Sequence, residues 1–231
     1  MTELSPICIL AGGLGTRLGG LVADTPKPLL PVAGEPFLVH QLRLLSRYGA
    51  TRAVLCVGYL GERIEAEIGN AMFGIELEYV YDPPDLAGTA GAIRGALQAL
   101  GDRFLVLYGD TYLRIDFAAV DSAHRASGKA ALMTVLRNDG LWDQSNVLLR
   151  DGEIVRYDKA HPTADMRWID YGLGVLTREA LEVSESADLA TVYTELAAAG
   201  ELAAFEASER FYEIGTPVAL AETDAFLSAN A

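Results

Sequence analysis

The chain has 231 residues, 51% of them hydrophobic, with 32 acidic against 18 basic side chains and a formal charge of -14. That length accommodates one substantial core without requiring a second domain, and the acidic balance argues against a nucleic-acid partner, which would need clustered Lys and Arg. No apolar run approaches the roughly 20 residues that span a bilayer, and Met1-Thr2-Glu3-Leu4 lacks a basic leader, so a soluble, cytoplasmic protein without membrane association is expected.

From the start to about residue 110, short apolar runs (Ile7 to Leu10, Ala53 to Val57, Leu77 to Tyr81, Phe104 to Leu107) alternate with segments of helical period. This alternation predicts an α/β fold with a parallel, doubly wound sheet. Leu38, Leu42 and Leu45 mark one helix, closed by Tyr48-Gly49, and Ile64 and Ile68 mark a shorter one from Gly61. Asp82-Pro83-Pro84-Asp85 breaks the third strand, and a helix starts at Gly88-Thr89-Ala90-Gly91-Ala92. Beyond residue 110 the spacing predicts a helix over Phe117 to Ala126, a strand over Ala130 to Leu136 and a turn at Asn138-Asp139-Gly140. A hairpin with an Asp151-Gly152 turn, a strand over Trp168 to Leu176, a helix over Leu189 to Ala199, a strand over Leu202 to Glu206 and a last helix to about Ala229 complete the chain. Cys8 and Cys56 each fall inside a buried strand and read as small hydrophobes in a reducing compartment.

In open sheets of this type ligands sit beyond the carboxyl ends of the strands, so the loops starting at Gly12, Gly58, Asp82 and Gly109 are the expected site walls. The first is the most informative. Leu10-Ala11-Gly12-Gly13-Leu14-Gly15-Thr16-Arg17-Leu18 empties a buried strand into a glycine loop whose backbone can approach a polyphosphate closely. Arg17 stands within it, and Lys27 follows between Pro26 and Pro28, which point to an extended segment. It is not a dinucleotide fingerprint, because Leu18 replaces the third glycine, nor a Walker loop, because Gly15 is not followed by Lys-Ser/Thr. Small residues at Gly88 to Ala92 leave room for a flat ring against the helix start.

L-A-G-G-x-G-T-R-L followed by Thr25, Lys27 and Pro28 resembles the signature of the sugar-1-phosphate nucleotidylyltransferases, the NDP-sugar pyrophosphorylases. The likeness runs in motif order from Leu10 to Pro217 and is greatest to the small heptose-1-phosphate guanylyltransferases and N-acetylmuramate-1-phosphate uridylyltransferases. It implies a Rossmann-like three-layer sandwich around a mostly parallel mixed sheet, one domain over residues 1–231, with a nucleotide half to about 110 and a sugar-phosphate half beyond it. By resemblance, Leu10, Ala11, Gly12, Gly13, Gly15 and Thr16, with Gly88, Thr89 and Gly91, hold the nucleotide. Asp158, Lys159, Tyr171 and Gly172 hold the sugar phosphate, and Asp110 and Glu213 bind Mg2+. Three departures stand out: Ala87 lies between Leu86 and Gly88, Gly174 replaces an aromatic, and Glu213 occupies an aspartate position, one methylene longer.

The implied reaction joins a sugar 1-phosphate to the α-phosphorus of an NTP and expels pyrophosphate by in-line displacement. A phosphate nucleophile has a second pKa of about 6 and needs no general base, so His40, His124 and His161 are not required. Arg17 would hold the leaving phosphates, Lys27 the reacting centre and Lys159 the acceptor phosphate. The motifs leave open the NTP, the acceptor (phosphocholine with CTP is used by related small enzymes), a monomer or homodimer, and a non-catalytic NDP-sugar-binding protein.

Overall fold

The computed structural model describes residues 4–13, 15–22, 24–83, 88–182 and 184–230. Leu14 of the glycine loop and the Leu86-Ala87 departure lie outside them.

The first half builds β1 (Ile7–Leu10), α1 (Phe37–Arg47), β2 (Arg52–Val57), α2 (Gly61–Ile68), β3 (Ala71–Met72), β4 (Ile75–Tyr81), α3 (Gly88–Leu100) and β5 (Arg103–Tyr108). The second adds α4 (Phe117–Ser127), β6 (Ala131–Arg137), β7 (Val147–Arg150), β8 (Glu153–Tyr157), β9 (Trp168–Thr177), α5 (Arg178–Glu182), α6 (Leu189–Ala198), β10 (Leu202–Ala207) and α7 (Pro217–Ala229). One ten-stranded sheet runs in the order β10-β6-β9-β5-β1-β2-β4-β3, with the β7–β8 hairpin joined to the start of β9 through Val147 and Trp168. The pairs β1–β2, β1–β5 and β2–β4 are parallel, as the alternating pattern predicts. Because β9 runs antiparallel to both β5 and β6, the complete sheet is mixed.

Strand periodicity splits the core. Ile7 and Ile9 face one layer with Leu38, Leu42 and Leu45 of α1, Ile64 of α2 and Phe117 of α4, whereas Cys8 faces the other with α3, α5 and α6. A smaller cluster packs Leu18, Leu30, Phe37 and Tyr112 with Ile214 and Leu227 of α7, tying the segment behind the glycine loop to the chain end. No described helix is long and apolar enough to cross a membrane.

One local expectation is corrected, and one element is added. Lys27 opens a 3-10 turn, Lys27–Leu29, instead of an extended segment; proline's fixed φ suits the first positions of such a turn equally well. The β3–β4 hairpin escapes sequence reading because β3 is two residues long; its turn is Phe73-Gly74, both at positive φ.

Candidate active site

The carboxyl ends of the parallel strands gather two adjoining cavities. One, of about 480 Å3, is lined by Leu10, Ala11, Gly12, Gly13, Gly15, Thr16 and Arg17, with Lys27, Asp82, Gly88, Thr89 and Asp110 among the remaining walls. The other, of about 770 Å3, is lined by Arg17, Asp110, Lys159, Tyr171, Gly172 and Glu213, together with Trp142, Asn146, Asp170, Arg210 and Phe211. Arg17, Tyr108 and Asp110 border both.

Asp110 follows β5, where Gly109 is obligatory because a Cβ there would lie 2.6 Å from the Leu10 carbonyl oxygen. That close approach brings the β5 end against the glycine loop. Lys27 Nζ donates to Asp110 Oδ2 at 2.5 Å, and Thr111 Oγ1 donates to Oδ1 at 3.0 Å. Glu213 is carried in by a two-residue antiparallel ladder in which Glu213 faces Thr111 and Tyr212 faces Tyr112. The Ile214 N–H donates to the Asp110 carbonyl, and Thr223 Oγ1 of α7 donates to the Glu213 carbonyl, so the ladder is held from both sides. A Cβ on Gly215 would lie 2.7 Å from Glu213 Oε2 and 3.3 Å from Arg17 Nη2, which places that guanidinium and that carboxylate around one glycine. Burial raises the Glu213 pKa and Asp110 raises it further, while Lys27 and Arg17 oppose both.

In the larger cavity, β9 carries an irregularity between Asp170 and Gly174, where three residues oppose Thr134 alone. Gly172 sits there at φ +98°, conformational space that a side chain rarely adopts. Its N–H donates to Asp170 Oδ1, and Thr134 Oγ1 donates to the Leu173 carbonyl. The bulge delivers Tyr171 into the wall with its ring edge-on to Phe211 and its buried hydroxyl without a hydrogen-bond partner among the described residues. Burial raises the Asp170 pKa even though the Gly172 N–H, Lys159 and Tyr157 favour its charged form.

Leu10, Ala11, Gly12, Gly13, Gly15, Thr16, Gly88, Thr89, Arg17, Lys27, Asp110, Glu213, Lys159, Tyr171 and Gly172 are therefore brought to the two cavities. Asp158 and Gly91 are not. Asp158 pairs with Arg156 at 2.8 Å and accepts from the Ala160 and His161 N–H groups, closing the turn that presents Lys159; Arg156 holds its carboxyl below the usual range. The Gly91 N–H faces the Ala187 carbonyl, and Thr89 Oγ1 receives the Leu189 N–H, pinning the α3 start to α6. No sequence motif marks Trp142, Asn146, Asp170, Arg210 or Phe211. Asp82 was signalled only by its place at a parallel strand end.

Comparison with known proteins shows the family of the chain. Residues 7–151 match the model of the MobA-like NTP transferase domain. D-glycero-alpha-D-manno-heptose 1-phosphate guanylyltransferase of Aneurinibacillus thermoaerophilus is 32% identical over 64% of this chain; the match spans 65% of that protein, less than two thirds of its length. Glucose-1-phosphate cytidylyltransferase of Salmonella typhimurium is 30% identical over 86% of each chain. The crystal structure of HddC from Yersinia pseudotuberculosis superposes with a TM-score of 0.81 at 23% identity, covering 97% of this chain and 100% of that one, a likeness of fold. With a family match across more than half its length and a second relative aligned over most of both chains, this chain belongs to the MobA-like NTP transferase domain family.

Proposed function

We propose that the protein transfers a nucleoside monophosphate from an NTP to a sugar 1-phosphate in a magnesium-dependent, direct in-line displacement that releases pyrophosphate. One observation carries this reading: two cavities of ligand size share Arg17, Tyr108 and Asp110 as walls. The glycine-loop cavity takes the triphosphate and the larger one the acceptor, so the reacting atoms meet at the shared wall.

The donor set fits a hard divalent cation. Asp110 and Glu213 bring two carboxylates to the same wall, where Asp110 raises the cost of charging Glu213. Among the described residues no group of three or more His, Cys, Asp or Glu is assembled for a metal, so phosphate oxygens and water would complete a magnesium shell. Mg2+ held there by Asp110 and Glu213 would supply charge neutralisation on the transferring phosphate.

The chain's own groups supply the rest. Arg17 holds the leaving phosphates and Lys27 neutralises charge at the reacting centre, kept on target by Asp110. Lys159 grips the acceptor phosphate. No general base is needed, and no histidine sits at the junction: His40 Nε2 is 2.7 Å from the Val32 carbonyl, His161 is exposed on the Asp158 turn, and His124 is in α4. A cytoplasmic setting accords with the free thiols of Cys8 and Cys56.

The test is pyrophosphate release across a grid of common NTPs and sugar 1-phosphates, with and without Mg2+. Lys159→Ala is expected to raise KM for the sugar phosphate about tenfold or more while leaving KM for the NTP within about twofold, because one charge-assisted contact to the acceptor is lost. Release from no combination rejects the reading, and the reverse KM pattern reverses the assignment of the cavities.

A further inference from the structure

Among the described residues three cations line the larger cavity: Arg17, Lys159 and Arg210. Under the proposed reaction Arg17 is occupied by the leaving phosphates and Lys159 by the acceptor phosphate, and the transfer chemistry gives Arg210 no role. The cavity also has space to spare. At about 770 Å3 it exceeds the glycine-loop cavity of about 480 Å3, although a sugar 1-phosphate is a smaller ligand than a nucleoside triphosphate. The acceptor that fills it therefore carries more than a bare hexose ring.

Arg210 is held in a fixed position. Its guanidinium carbon lies 4.6 Å from the ring centre of Tyr212 and 5.8 Å from that of Trp142, and Tyr212 in turn stacks on Phe226 of α7 at 3.8 Å. Trp142 is itself anchored by the fully buried Asn138, whose Oδ1 accepts the Trp142 N–H at 3.2 Å and whose Nδ2 donates to the Asp143 carbonyl at 2.6 Å. Arg210 Nη2 donates to Glu222 Oε2 of α7 at 3.0 Å, and Nε donates to the Phe211 carbonyl at 3.3 Å. A guanidinium carries five N–H donors, so these two bonds leave the Nη1 end unused, and Nη1 has no partner among the described residues. Two aromatic contacts and two hydrogen bonds stop the fork from turning, so it meets a ligand with little further loss of side-chain entropy. The surrounding charge selects among anions. Glu222 and Asp143 line the same cavity, so a singly charged group is repelled less than a phosphate dianion, and a planar carboxylate matches the fork with two parallel bonds.

We propose that Arg210 binds a carboxylate carried by the acceptor away from its phosphate, so that the acceptor is an acidic sugar 1-phosphate; this rests on the transfer reaction proposed above. Lys159 then fixes the phosphate end and Arg210 the acid end, and two anchors orient the sugar where one would let it swing. A neutral sugar 1-phosphate leaves the guanidinium fork unmatched.

The experiment compares acidic and neutral acceptors in matched pairs: glucuronate with glucose 1-phosphate, galacturonate with galactose 1-phosphate, and a 3-O-carboxyethyl hexosamine 1-phosphate with its parent. Pyrophosphate release is measured with each common NTP, and acceptor binding by calorimetry with Mg2+ and a non-hydrolysable NTP analogue present. In at least one pair the wild type is expected to prefer the acid about tenfold or more, in kcat/KM and in affinity. Arg210→Gln, and Arg210→Lys, which keeps the charge but loses the fork, are each expected to abolish most of that preference. A purely structural Arg210 would lower both members of a pair alike, and thermal melting checks the folding of each variant. A wild type that favours no acid over its parent, variants that keep the wild-type ratio, or a preference for glucose 1,6-bisphosphate over every acid overturns the proposal. Selective binding of an acid without pyrophosphate release rejects the transfer reaction and supports the assignment of Arg210; release with neutral acceptors in preference to acids does the opposite.

Discussion

Lys27 and Asp110 form the tightest ion pair at the junction, with side-chain exposures of 11% and 28%. Removing the cation leaves Asp110 beside Glu213, whose charged form already suffers from burial and from Asp110 itself. Lys27→Met is therefore expected to lower turnover by about 10²–10³-fold, the scale seen when one preorganised charge-stabilising group is deleted. Steady-state pyrophosphate release checks it, and turnover within about threefold of wild type would take Lys27 out of the reacting centre. Lys27 and Arg17 were legible because a glycine loop with cations at fixed spacing has few other uses. Asp82 was hardly legible, since an aspartate before two prolines is also what a turn requires. Asp158 was legible only as a pair with Lys159: an acid beside a lysine at a strand end suggests two ligands, whereas the structure pairs it with Arg156 and uses it to close the turn that carries Lys159.

At the scale of elements, the departure at Gly174 has a steric explanation. A Cβ on Gly174 would stand 2.2 Å from the hydroxyl of Tyr193 and 3.1 Å from the Leu132 carbonyl. Tyr193 comes from α6 and packs edge-on against Tyr157 of β8, so an aromatic reaches this space from the helix layer instead of from β9. Gly174→Ala is expected to destabilise the fold by about 1–3 kcal/mol through overpacking. Combined with Tyr193→Phe, part of that loss should return, because the nearest clashing atom is gone while the Leu132 carbonyl remains. Urea unfolding of the four proteins in a double-mutant cycle measures the coupling, and strictly additive effects would mean that the two positions do not compete for this space. Strand periodicity located β9, but period-2 patterning carries no information on which layer fills a gap, nor on the three-to-one bulge that aims Tyr171 into its cavity.

Across the whole molecule, the pole opposite the cavities is where acid will act on stability. There Asp121 is buried and receives Arg103 at 3.4 Å, Arg125 at 3.1 Å and the Ser5 N–H at 3.2 Å, joining the start of β5, α4 and the entry to β1. Beside it His124 is only 3% exposed, and neither ring nitrogen has a hydrogen-bond partner among the described residues. Arg103, Arg125, Lys129, Glu179 and Glu201 line the shallow hollow above it. Burial lowers the His124 pKa from 6.5, and this outweighs the opposing influence of the Ala130 and Lys129 backbone and of Asp121. The unfolded chain then takes up a proton at this histidine more readily than the folded one does. Its contribution to stability is fully present above the unfolded value near 6.5 and is lost as pH falls from there towards the folded pKa. His124→Leu removes the proton acceptor while keeping an apolar filling. Between pH 7.5 and 5.5 the wild type is expected to lose more of its urea midpoint than the variant does, and equal losses would show that His124 is not charged on unfolding. Composition announces an acidic chain whose cations must act locally, and spacing predicts this helix, but only packing reveals which histidine is buried.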